Sequence, residues 1–319
     1  MLLINKSLIK MAKGLWGWIC LIVCLKMLTL VGATLFARTI SQFLGDAMSV
    51  NMSLQEASSA IIVALIASLL MLVSELLTGE AQYRCTAKAR TTLRKNIFSK
   101  VLELDVGNIE RIGPVSAITS SVDGVESIQV YYSQYLPGLI YCMLSPIYLF
   151  FQLKDISLII ACLLFLTSFV LLPINNVFRR YIEKLKTQYW ASLEDMTGYY
   201  LESVRGLTTF KLYEQDQYRQ DVLEKKTNAF NDRIMDVMKV NFTSFLMTDG
   251  MIYGSIVVGT LIACYELYHA HIDLSSALTV LMLGYGFFSG VRKLMSETHT
   301  ALASVAAVSK VSQILDINT

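Results

Sequence analysis

The chain has 319 residues, of which 54% are hydrophobic and only 16% charged, with a net charge of +2 and a mean hydropathy of +0.52. A soluble globule of this length carries nearer a quarter charged residues, and a nucleic-acid binder gathers its basic residues on one face, so both classes are excluded in favour of a membrane protein. The six cysteines fall mostly inside apolar runs with no C-x-x-C pair, and read as small packing residues rather than a metal or redox site.

In chain order, a short basic N-terminus (Lys6, Lys10, Lys13) leads into a first apolar span over 15–37. Its apolar run is too long for a cleavable signal, and no small-residue cleavage site follows. After a connection without Lys or Arg comes a second span, 57–78, and then a charged segment from Gly79 to about Tyr132. The third and fourth spans, 135–153 and 156–178, are separated only by Lys154-Asp155. A second charged segment, about Arg179 to Asn241, precedes the fifth span at 242–264 and the sixth at 274–291, from which an amphipathic helix continues to the C-terminus. Each span is close to the about 20 residues a helix needs to cross about 30 Å of hydrocarbon. The expected fold is an all-α membrane protein with six transmembrane helices.

Lys154 is the one basic residue on one side; the N-terminal lysines and nearly all other Lys and Arg fall on the opposite side. The positive-inside rule then places both termini and both long segments in the cytoplasm of a cell membrane. The hydrophobic residues Leu193, Met196, Tyr200, Val204 and Leu207 recur at helical spacing, so each long segment reads as a helical hairpin leaving the bilayer and returning. A helix over 79–104 would reach about 40 Å beyond the bilayer at about 1.5 Å per residue. Gly107, Gly113 and Pro114 put the first tip near Ile109, Glu110 and Arg111, and the second lies near Lys211 to Asp216, including Leu212, Tyr213 and Glu214.

Charged residues in spans are costly and usually face protein or a water-filled path. Lys26, Arg38, Glu75, Asp249, Arg292, Lys293, Glu297 and His299 are therefore singled out. Lys26 and Arg292 read as lining a path that attracts an anionic or zwitterionic cargo. Arg38 either joins that path or snorkels to the interface. Glu75 reads as a structural ion pair, and Gly250-x-x-x-Gly254 beside Asp249 as a close-packing motif. His299 is either a packing residue, a pH-sensitive gate or a haem ligand. No catalytic residue is assigned: there is no H-E-x-x-H, no G-x-S-x-G and no paired aspartates in adjacent spans.

Six spans with two long cytosolic hairpins resemble the membrane domain of an ABC exporter, and three local stretches agree. The run from Thr119 to Ile128 is similar to that family's T-x-D-V-x-x-I, with the aspartate displaced; Glu202 to Lys211 is similar to its E-x-x-x-G-x-x-x-x-K segment; Ala303 to Asp316 is similar to its final helix. Tyr132 to Pro137, Leu201 to Leu207, and His299 with Val305-Ala306-Ala307 further resemble the thiol-exporter branch linked to cytochrome bd assembly. The resemblance implies that the two tips are coupling helices contacting a nucleotide-binding domain, C-terminal or in trans. It also implies a second six-helix half, as a heterodimer, and a cargo among cysteine, glutathione and haem. ATP and Mg²⁺ are expected in that nucleotide-binding domain and not in this chain, which has no G-x-x-x-x-G-K-[ST] and no Leu-Ser-Gly-Gly. The sequence ends at Ile314 to Thr319, where such a domain is expected to begin, so the chain reads as a fragment or a split subunit. Two rival readings stay open: a membrane sensor or scaffold whose hairpins dock a signalling partner, and a proton-coupled secondary transporter. Long cytosolic segments argue against the second, which wants short loops on both sides.

Overall fold

In the computed structural model, residues 14–48, 54–103 and 124–315 are described. The expected tip residues Ile109, Glu110 and Arg111 and the N-terminal lysines lie outside them. The described residues are almost wholly helical, without strands: α1 (Trp16–Met48), α2 (Leu54–Glu103), α3 (Val125–Val130), a π-helical turn (Tyr131–Tyr135), α4 (Leu136–Leu153), α5 (Leu158–Arg205), α6 (Leu207–Leu212), α7 (Asp216–Tyr268) and α8 (Leu274–Leu315). Five helical stretches are long and apolar enough to cross a membrane: Trp16–Met48, Gln55–Lys100, Ile128–Leu153, Asp216–Tyr268 and Leu274–Thr298. A shorter apolar stretch, Leu158–Ile174, occupies the place of the expected fourth span. Helical backbone suits such segments because every N–H and C=O is satisfied within the helix, as a lipid environment demands.

The chain divides into two compact units, residues 1–169 with 255–319, and residues 170–254. In the first, α1 and α2 pack closely along their length. Gly32 makes this approach possible, since a Cβ there would lie 2.9 Å from Met71 Cγ and 3.4 Å from the Ala67 carbonyl oxygen. The apolar half of α2 buries only Ala67, Ser74 and Thr78, and leaves Ile61, Ile62, Leu65, Ile66, Leu69, Leu72 and Leu76 exposed. A helix apolar all round with one small-residue stripe against protein is shaped to meet lipid with the rest of its surface.

α8 lies against α1 and α4. Gly290 marks a close approach of α8 to the α4 backbone, where an added Cβ would be 2.9 Å from Ser145 Oγ and 3.2 Å from Cys142 Cα. The π turn buries Tyr131, Tyr132, Ser133 and Tyr135, with the Tyr131 and Tyr132 rings edge to face at 5.6 Å. Helical geometry is present at Val125, ahead of the third span and within the segment read as the returning limb of the first hairpin. Arg90 Nε, on α2, donates a hydrogen bond to Gln129 Oε1 at 2.9 Å, fastening α3 to the extended part of α2. On the opposite end, Ser157 donates to Glu266 Oε1 at 2.9 Å.

The second unit comprises most of α5, all of α6 and the first part of α7. Its beginning falls where Pro173 deprives the Phe169 carbonyl of its helical partner. The two long helices run antiparallel about a turn, joined by the Tyr189–Phe230 ring pair at 5.4 Å and the Lys226–Asp195 ion pair. Gly250 and Gly254 do not serve as a packing notch within this chain, because nothing among the described residues lies within 4 Å of an added Cβ at either.

Candidate functional site

Two constellations carry the chemistry, one in each unit. In the first unit, Lys26 sits on α1 at 4% exposure, and its Nζ has no hydrogen-bond partner among the described residues. An ammonium so placed is stabilised only by neighbouring charge. The ionisable groups that act on it are Glu297 first, then Lys293, both on α8, and Glu75 on α2. Gly138 on α4 lies beneath the Glu297 carboxylate and leaves it room, since a Cβ there would collide with Glu297 Oε2. Tyr141, one turn further along α4, lies beside Ser289 of α8 and feels the charge of Glu75. Three helices therefore contribute the two cations and two carboxylates of one group, and α4 borders it with Gly138 and Tyr141.

The sequence-predicted residues divide around this group. Lys26 is inside it, with Glu75, Lys293 and Glu297 as neighbours. Arg38 is elsewhere: its Nη2 donates to the Gln152 carbonyl at 3.0 Å, and Tyr148 bonds both Thr34 and the Gln152 amide at 3.0 Å. That arrangement caps the C-terminal end of α4, where a cation is favoured. Arg292 stands with its guanidinium carbon 5.9 Å from the centre of the Tyr285 ring. His299 falls on α8, but its side chain lies outside the described residues. Sequence reasoning passed over Gly138, Tyr141 and Ser289, which only the packing of α4 on α8 makes relevant.

In the second unit, α5 ends at Arg205, Gly206 breaks the helix, and α6 forms a six-residue helix with no buried residue. Leu212 and Tyr213 are 77% and 73% exposed. Glu214 takes a φ of 51°, a left-handed conformation uncommon for a side chain of its size, and lets Gln215 N–H bond back to the Phe210 carbonyl at 2.9 Å. The expected second tip thus lies at Leu212, Tyr213 and Glu214. Behind it, Arg219 of α7 lies with its guanidinium carbon 4.3 Å from the centres of both the Tyr199 and Phe210 rings, and 3.5 Å from Glu202 Oε1. Hydrogen bonding to the Tyr199 side chain, aided by Glu202, pushes the Arg219 pKa further above its already high value.

Comparison with known proteins agrees with this architecture. Residues 15–290 match the ABC transporter transmembrane region. An uncharacterized ABC transporter ATP-binding protein of Haemophilus influenzae is 27% identical over 95% of this chain and 52% of its own length. The glutathione/L-cysteine transport system ATP-binding/permease protein CydC of Bacillus subtilis is 22% identical over 73% of this chain and 41% of its own length. CydD of the corresponding system in Haemophilus influenzae is 21% identical over 71% of this chain and 40% of its own length. The chain spans about half or less of the length of these curated relatives. With a family match covering residues 15–290, nearly the whole run of apolar helices, the chain belongs to the ABC transporter transmembrane region family.

Proposed function

We propose that the chain is the membrane half of an ATP-driven exporter, forming part of a cargo path and receiving motion from nucleotide-binding domains through its cytosolic tips. The observation that carries this reading is the second tip: a short exposed helix, with Leu212 and Tyr213 outward, at the turn between two helices of 48 and 53 residues. Long helices transmit a push along their axes with little loss, and an interdomain contact needs apolar side chains presented outward. Under this reading both termini and both tips are cytoplasmic, and a second six-helix half completes the path.

Lys26, with Glu75, Lys293 and Glu297, is the polar element of that path. Paired charges of both signs suit a cargo carrying an amine and a carboxylate, in keeping with the glutathione/L-cysteine systems named for the CydC and CydD relatives. Arg38 and Arg292 flank the path, and haem at His299 is the competing cargo assignment. A heterodimer with a second, different half belongs to the same reading. ATP and Mg²⁺ would sit in the nucleotide-binding domains, since the sequence has no G-x-x-x-x-G-K-[ST] to cradle phosphate; ATP bound there would supply the closing motion.

Cysteine at position 213, in an otherwise cysteine-free transporter, tests the reading directly. Crosslinking to an ATPase domain is expected, with a yield that changes when ATP is added. Crosslinking to a kinase-like or other signalling partner instead would favour a sensor.

A further inference from the structure

The group behind the second tip is built more elaborately than a turn requires. Arg219 of α7 touches both neighbouring helices at once: Tyr199 and Glu202 on α5, and Phe210 on α6. Its side chain is 19% exposed amid neighbours that are mostly open to solvent. Phe210 is folded back over Gly206, where an added Cβ would lie 2.7 Å from Phe210 Cε2. The ring is thereby wedged between the helix break and the guanidinium. A planar, delocalised cation can stack on two aromatic faces at once while still donating to a carboxylate, which an ammonium cannot. Being permanently charged, it holds at any physiological pH.

The geometry points to Arg219 as a positioning residue for coupling: stacked between Tyr199 and Phe210, it locks α6 to both long helices so that force on Leu212 and Tyr213 reaches them. This rests on the proposed function and adds to it which residue makes the tip rigid. Without the lock, α6 is a six-residue helix joined through Gly206 and Glu214, too short to be stable alone.

The test uses the complete transporter in nanodiscs, carrying Arg219→Ala or Arg219→Lys, with Phe230→Ala as a control that loosens the helix pair at its Tyr189 contact, away from the tip. Hydrogen exchange of amides 207–215 is expected to quicken at least about tenfold in Arg219→Ala, by an intermediate amount in Arg219→Lys, and little in Phe230→Ala. Crosslinking from cysteine at 213 to the nucleotide-binding domain should fall at least about fivefold in Arg219→Ala, with basal ATP turnover kept within about twofold. Unchanged exchange overturns the inference. Faster exchange with undiminished crosslinking overturns the positioning role. Absence of crosslinking in the unsubstituted protein removes the proposed function, and the coupling role with it, so the two failures are told apart.

Discussion

Lys26 is the residue whose burial most needs a reason. At 4% exposure without a hydrogen-bond partner among the described residues, it is a cost to the fold: a lysine at mid-bilayer is disfavoured by about 2.5–3.5 kcal/mol on insertion scales. Lys26→Met keeps the volume and removes the charge. Thermal unfolding in detergent should show stability unchanged or raised by about 1–3 kcal/mol, while cargo flux in vesicles is lost. A lysine held only for structure would show the opposite, reduced stability with flux intact. Its isolation in an apolar run made it visible in the sequence. The charges around it were legible, but not their nearness: Glu297 and Glu75, which favour the ammonium, and Lys293, which opposes it, come near Lys26 only through helix packing. Arg38 shows the same limit: its bond to the Gln152 carbonyl joins residues 114 apart, and no local pattern announces it.

Among elements, the contact of α4 with α8 is the tightest to be tested. Gly290→Val would drive its side chain into Ser145 and the Cys142 backbone, costing about 1–3 kcal/mol by overpacking. Gly284→Ala, whose Cβ would rest 3.6 Å from Ile256, should be neutral or stabilising by up to about 1 kcal/mol through helix propensity. Melting curves of the two variants check the contrast; equal effects would mean that α4 and α8 do not approach as described. The elements themselves were well marked by hydropathy and by the scarcity of proline and glycine. The π turn was not, since it has no periodic signature and is filled by three tyrosines, Tyr131, Tyr132 and Tyr135, packed together.

For the whole molecule, the decisive property is sidedness. Single cysteines at Asp155 and Ala270 should react with an impermeant maleimide from outside intact cells. Cysteine at Tyr213 should react only after the membrane is opened. Labelling of all three from one side would refute the assigned orientation. The orientation rests on the charge asymmetry of the sequence, whereas the clamp around Arg219 has no sequence signature, because it joins two helices across a turn and depends on which faces meet.

The widened turn at Tyr131–Tyr135 bears on how this chain tolerates change in length. Dropping one residue from an ordinary α-helix swings everything downstream by about 100°, which would turn α4 away from Gly290. A π turn already holds one residue more than regular winding needs. Removing Ser133 should therefore let the coil close up locally, with the following helix keeping its aspect, so that here the polypeptide carries slack.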